Sequence, residues 1–596
     1  MINIFRNLIM IFTGGLLLAG CSLPADPPAE QTLGLALAGT IQQPVGHLDP
    51  PTTTKPAEPK KPTPEELEAA EDAKMERRIR SMAHYAAGVA HRERGEHKEA
   101  AEEFFQAALI DPANEKVVME VVQFLVVSRQ KEKLFQLLIK ATKDPAAPAN
   151  IHALLAAAYL ERKKPELAKV AAENAIRKAP KLIVGYKSLI QAYRQEAKNG
   201  ANRTGQIRKT LERAMTQTDV PAPYQVELAL MLLGYLELDK KATDELKPKI
   251  SKLLDEAWAD KSKQPLLLEN LARAYRGNGT HDKAAMVMES LLKILPNNPA
   301  VLLETARGHA LAGKMDQAKM HLEALIKKFP KNWQGHQLRA AIAMDQDEYS
   351  LAVKHYREAI KIRPRMEAIY YDLVSALLSD EKPDDAGEEL QKAKNRFQPN
   401  FQQAYFTAMI HLQKDEYAQA HRHLLEAEET AKKADPDRLT HFLYFQLGST
   451  AERAANFKDA EKYFRKSISI KPDYATALNY LGYMWADRNE NLVEAKKFIG
   501  LALKEQPDNP AFLDSMAWVI FREGDFKEAL RWQLKALKFS KEDDPELFLH
   551  LGEIYHALKK DAKAREYLNK ALAIKDVDPD IKAKIEAKFK LLDAER

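Results

Sequence analysis

The sequence runs to 596 residues, too long for one hydrophobic core, so it must form several domains or one quasi-linear array. Glycine is sparse and 29% of the residues are charged, the composition of long solvated helices rather than of a sheet-rich enzyme. The 90 Lys and Arg nearly balance the 85 Asp and Glu, and short basic runs such as Lys163-Lys164 and Lys559-Lys560 are scattered, which excludes a nucleic-acid binder that tracks phosphates along one face; the single cysteine, Cys21, excludes an intramolecular disulfide, a CxxC redox pair and a cysteine-rich zinc site.

In chain order, residues 1–20 carry one early cation, Arg6, then an apolar run over residues 8–18 and the tetrad Leu18-Ala19-Gly20-Cys21. This pattern resembles a bacterial lipoprotein signal, whose lipobox is cut before the cysteine so that the Cys21 thiol takes the lipid. The apolar run is short for a membrane span and is followed by Pro-rich sequence rather than a cationic stop. Ser22, standing where Asp would otherwise follow the cysteine, implies by the same resemblance delivery to the outer membrane, facing the periplasm. Residues 21–64, with Pro27-Pro28 and Pro50-Pro51, cannot build a core and are expected to be a disordered, partly polyproline-like tether.

Thr63-Pro64-Glu65-Glu66 supplies a helix start, with Pro in the first turn and carboxylates at the positive end of the dipole. Beyond it the chain repeats itself. Ala284, Ala318, Ala352, Ala386 and Ala420 lie 34 residues apart, and Pro296, Pro330 and Pro364 keep the same interval. That is the period of the tetratricopeptide repeat (TPR), which this sequence resembles. The resemblance implies an all-α TPR α-solenoid, a right-handed superhelix of about fourteen helix-turn-helix repeats. Small residues such as Ala306 and Ala318 let two helices approach closely, Gly313 marks the turn between them, and Pro330 stops the second helix. The expected organisation is N-terminal repeats over residues 65–262, partly degenerate, a central array over 263–436 and a C-terminal array over 437–576. A capping helix over 577–596 follows, with Ile581, Ile585, Phe589 and Leu592 on one face.

In TPR arrays the first helices of successive repeats line a concave groove. Mapped onto this period, the groove positions are Tyr371, Tyr405, Met409, Phe442, Phe445, Asn479, Tyr483, Asp514, Trp518 and Phe521. Rings and thioethers there suit an extended or partly unfolded polypeptide bound by apolar contact; the alternative is that the same rings pack between repeats as ordinary core. Arg273 and Arg307, again 34 apart, stack along one face, either to bind a carboxylate or as salt-bridged surface.

Catalytic motifs fail on context. Gly308 to Lys314 imitates a phosphate-binding loop, but Met315 stands where Ser or Thr is needed and the repeat register makes the segment the end of a helix, so no nucleotide is expected. His421 and His423, two apart on a helix, point to different faces and read as exposed side chains, and no HExxH or GxSxG pattern occurs. No cofactor, metal or enzymatic activity is expected.

The stretch Ala477-Leu478-Asn479-Tyr480-Leu481-Gly482-Tyr483, with Ala486-Asp487-Arg488, Pro507-Asp508-Asn509-Pro510, Leu513-Asp514-Ser515-Met516-Ala517-Trp518 and Glu528-Ala529-Leu530, resembles TPR lipoproteins that serve as adaptors for carboxyl-terminal processing proteases of the bacterial envelope. The resemblance implies a lipid-anchored scaffold that holds a periplasmic protease and presents envelope substrates to it. The alternative reading is a structural TPR lipoprotein of an export or assembly machine for polysaccharide, pili or outer-membrane proteins.

Overall fold

The computed structural model describes residues 63–594 apart from 199 and 576. The expected signal (1–20), Cys21 with its lipid and all but the last two residues of the tether (21–64) lie outside the described residues. Among the described residues there are 29 α-helices, two short 3₁₀ turns and no strand, and no helix is long and apolar enough to cross a membrane. Fourteen helix pairs follow one another, from Pro64–Glu93 with His97–Ile110 to Pro545–Ala557 with Asp561–Ala573, and the helix Pro579–Ala594 comes after them. The fold is an all-α array of TPR helix-turn-helix repeats.

The local sequence explains each boundary. Pro occupies the first turn of the helices Pro265–Gly277, Pro299–Leu311, Pro383–Lys394, Pro510–Arg522 and Pro545–Ala557, where its missing N–H costs nothing. Asn298, Asn332, Asn400, Asn509 and Asp544 cap first helices by accepting from exposed backbone N–H groups. In five consecutive pairs the turn passes through left-handed backbone at Gly279, Gly313, Asp347, Glu381 and Asp415, which keep the 34-residue interval. The following N–H reaches back five residues, as in Lys314 N to His309 O at 2.9 Å and Lys382 N to Leu377 O at 2.9 Å, closing the helix end in a Schellman turn.

Packing within a pair rests on the absence of side chain. Ala318, Ala352, Ala386, Ala420, Ala460, Ala529 and Ala564, all in second helices, are fully buried. In first helices, Gly448 lies so close to the Phe464 ring that an added Cβ would sit 2.6 Å from Cδ1, and Gly552 is equally close to Leu568 at 2.7 Å. The chain separates into two compact units, one up to Pro330 and one from Lys331 onward. In the first, a continuous core runs from Ala100 to Val301. In the second, the core passes from Ala340 through Tyr463 to the cluster around Trp485 and Val519, and then to Leu551, Leu568, Ile585 and Leu592.

Gly448→Ala therefore forces a methyl into the Phe464 ring and is expected to cost about 1–3 kcal/mol. Gly387→Ala, in a helix where nothing lies within 4 Å of the new Cβ, should be neutral or stabilising by up to about 1 kcal/mol. Thermal denaturation followed by circular dichroism separates the two; equal midpoints would show that the close approach at Gly448 has slack.

Candidate protein-binding face

The helices Ala475–Asp487, Pro510–Arg522 and Pro545–Ala557 are first helices of three successive pairs and pack side by side. Each starts 35 residues after the last, so Tyr483 and Trp518 share a register position, as do Asn479 and Asp514. Trp518 is sandwiched between the rings of Phe521, 4.9 Å away and 10° from parallel, and His550, 4.2 Å away and 16° from parallel. The Nδ1–H of His550 donates to both oxygens of the Asp514 carboxylate at 2.9 and 3.0 Å. Gln533, from the helix Phe526–Phe539, donates its amide to Asp514 and to Leu547 O. From one repeat earlier, the Tyr483 hydroxyl donates to Glu546 Oε1 at 2.8 Å, bridging two helices that flank a third.

The charges on this face are unbalanced. Burial alone would push the His550 imidazolium pKa down, but the charge and hydrogen bond of Asp514, joined by Glu546 and Glu553, outweigh it and lift the pKa to about 9. Burial raises the Glu546 carboxyl, which the imidazolium only partly offsets and Asp514 reinforces. Glu452, on the helix His441–Arg453, is raised in the same way by burial, with Arg453 and Lys584 opposing and Asp487 and Glu546 adding to the rise. Asn479 Oδ1 and Trp518 Nε1 are buried with no hydrogen-bond partner, each a cost of about 1–3 kcal/mol.

The sequence-derived positions divide unevenly. Tyr483 and Phe521 remain part-exposed at the rim, while Trp518, Asp514 and Asn479 lie just beneath it. Tyr371 is buried, its hydroxyl donating to Glu367 at 2.6 Å and accepting from Asn400 at 3.0 Å, and burial with the Glu367 contact pushes it up to about 12. Tyr405 stacks on Phe401, and Met409 takes a contact from the Gln446 amide at 3.4 Å. Phe442 is also mostly buried. Phe445 is corrected from groove to core: it is fully buried, edge-on to Tyr474 and Tyr480, and offers no surface to a partner.

In the other unit, Arg307 pairs with Glu304 at 3.4 Å and Arg276 with the same carboxylate at 2.6 Å, while exposed Arg273 donates to Asn270 at 2.9 Å. The helix register of Gly308 and the turn at Gly313 stand as expected. His421 does not: it is buried, with Nδ1 3.1 Å from Thr450 Oγ1, and burial pushes its pKa down. The residues that sequence reasoning missed are His550, Glu546, Gln533 and Glu452. One signal was present, a lone histidine inside Leu547-Phe548-Leu549-His550-Leu551, since an imidazole in an apolar run requires a buried partner.

Models of the tetratricopeptide repeat match residues 65–115, 275–342, 443–474 and 545–578, so these stretches are TPR repeats, and the last of them contains the helix that carries Glu546 and His550. The chain is 34% identical over 178 residues to a TPR repeat-containing protein of Pseudomonas aeruginosa, covering 30% of this chain and 29% of that protein. It is 26% identical over 140 residues to a TPR repeat-containing protein of Methanocaldococcus jannaschii, covering 24% of each. The chain thus spans under a third of the length of these curated relatives. Among solved structures, the APC/C hetero-tetramer Cut9-Hcn1 aligns with 81% of this chain and 96% of its own at 14% identity and TM-score 0.34, and yeast Tom70 with 85% and 99% at 15% identity and TM-score 0.33. The matched stretches carry the tetratricopeptide repeat, and TPR proteins bind other proteins or peptides.

Because the folded His550 pKa of about 9 lies above its ordinary 6.5, the stability it contributes is complete below pH 6.5 and is lost as pH rises through 9. The loss is on the order of 3 kcal/mol. Wild-type thermal midpoints should fall over that interval, whereas those of His550→Gln should start lower and stay flat; parallel curves would mean that the ion pair does not form.

Proposed function

We propose that this chain is a protein-binding adaptor without catalytic activity, and that the face built by Tyr483, Asp514, Trp518, Phe521, Glu546 and His550 receives an extended, basic polypeptide segment. The observation that carries the reading is the coincidence of part-exposed rings with carboxylates held in a poorly compensated state: Glu452 is raised by burial and by the charges of Asp487 and Glu546, and Glu546 by burial and by the charges of Asp514 and Asp544. A lysine or arginine side chain seated between them relieves that repulsion, while Phe521 and Tyr483 cover its aliphatic stem. Unsatisfied Trp518 Nε1 and Asn479 Oδ1 are a donor and an acceptor that a bound backbone would complete.

The cellular setting is part of the same proposal. The lipobox-like residues before Cys21 and the Pro-rich tether support a lipid-anchored protein of the bacterial envelope, at the outer membrane and facing the periplasm. The resemblance over residues 477–530 supports a role in holding a carboxyl-terminal processing protease and presenting its substrates. Affinity capture from envelope extracts tests this directly: a processing protease with its substrates is the expected catch, and a secretion channel or synthase in its place would overturn the protease role in favour of an export machine. The face itself is tested by the Glu452→Gln, Glu546→Gln double variant, whose affinity for the captured partner's basic segment should fall at least tenfold in calorimetry with helicity unchanged. Unaltered affinity would move the binding site elsewhere.

A further inference from the structure

The unit that runs to Pro330 contains a convergence of ligating side chains that the protein-binding reading does not use. Glu289 comes from the helix His281–Ile294, His309 from Pro299–Leu311 and His321 from Met315–Lys328. Both imidazoles reach the same carboxylate oxygen through the same ring atom: His309 Nε2 lies 2.9 Å and His321 Nε2 2.8 Å from Glu289 Oε1. The rings are stacked 5.4 Å apart and 9° from parallel, and the three ligand atoms all lie within 4.8 Å of one another. The two histidines are buried, while Glu289 is about one-third exposed, which leaves an entry path and room for a water or an outside ligand.

A repeat protein supplies its own comparison. Three 34-residue intervals further along, His411 and His423 form the same stacked pair, 5.3 Å apart and 9° from parallel. There the position equivalent to Glu289 is Gln391, which donates to Asn395, and each ring turns Nδ1 to a separate carboxylate, Glu416 and Glu426. The stacked pair is therefore a packing solution available to this repeat, and helix packing alone does not require a third, anionic ligand beneath it. At Glu289 the ligand is present and both Nε2 atoms aim at it. His309 Nδ1 is buried without a partner, so no second hydrogen bond locks that ring into the tautomer that donates to Glu289.

We infer that Glu289, His309 and His321 form a site for a borderline divalent transition-metal ion, Zn²⁺ in the first instance. Two imidazole nitrogens and one carboxylate oxygen are the donor set that such ions take, with the fourth position left open. Tetrahedral zinc with bonds of about 2.0–2.1 Å needs ligand atoms about 3.3 Å apart. Glu289 must then withdraw by about half an ångström, which its flexible, part-exposed side chain permits, and the two Nε2 atoms, within 4.8 Å of each other, must close on the ion. The ion would clip the second helix of one repeat to both helices of the next and stiffen the array at that junction.

The full chain, stripped with chelator and titrated with Zn²⁺ in a calorimeter, should take up one equivalent with a rise in its thermal midpoint. Glu289→Gln, which copies the natural Gln391 position, and His321→Gln should each weaken uptake at least tenfold, and His423→Gln should leave it unchanged. Circular dichroism checks that the variants keep wild-type helicity; if His321→Gln does not, Glu289→Gln decides. Absence of zinc uptake, or uptake in Glu289→Gln equal to wild type, would overturn the assignment.

Discussion

The close approach of the two helices within each pair governs the rest of this molecule. Alanine at Ala318, Ala352, Ala386 and Ala420, and glycine at Gly448, Gly482 and Gly552, remove the side chain where the backbones cross. Helices separated by a larger residue would stand further apart and present different rows to their neighbours. With the pair fixed, the turn must be short and reverse sharply, which is why its central residue is left-handed whether it is Gly313 or Glu381. The cost of left-handed backbone at non-glycine residues is about 1–2 kcal/mol each, and the packing gained on both sides offsets it.

That arrangement sets first helices side by side and decides what they may carry. A side chain facing the next first helix is buried by it, so a polar residue there must find its partner one or two repeats away. Asp514 finds His550, and Tyr483 finds Glu546. A buried ion pair is weak evidence for stability, because desolvation consumes most of the attraction. The proposed binding role of this face accounts for its retention beside Trp518 and Phe521, with carboxylates left over.

The repeat architecture was legible in the sequence because its physical cause is periodic. Small residues, turn residues and helix-stopping prolines recur at one interval, and no tertiary information is needed to see them. The aromatic positions were harder. Phe445 and Trp518 look alike in one dimension, since both are rings on first helices, yet one is enclosed by Tyr474 and Tyr480 and the other lies under a part-exposed rim. What separates them is the packing of the neighbouring repeat, which a local window does not contain. His550 and Glu546 were missed for the converse reason: their partners are 36 and 63 residues away. His421 was misread because two residues on opposite sides of a helix differ in exposure once a second helix covers one of them, and the helix that carries Thr450 covers His421.

Both polar centres arise where a repeat departs from its own pattern. The scaffold tolerates a stacked histidine pair at 309 and 321 and again at 411 and 423, with the same ring separation, so the pair itself carries no specific chemistry. One substitution at a single register position, Glu289 against Gln391, changes what lies beneath the rings from a neutral amide to an anion. Likewise Asn479 and Asp514 occupy one register position, but only the acid draws a histidine from the next repeat. In an array whose backbone is set by alanine and glycine, such positions are free to vary without altering the helices. Function in this chain is therefore to be sought in the differences between repeats that the shared period throws into relief, not in the residues that create the period.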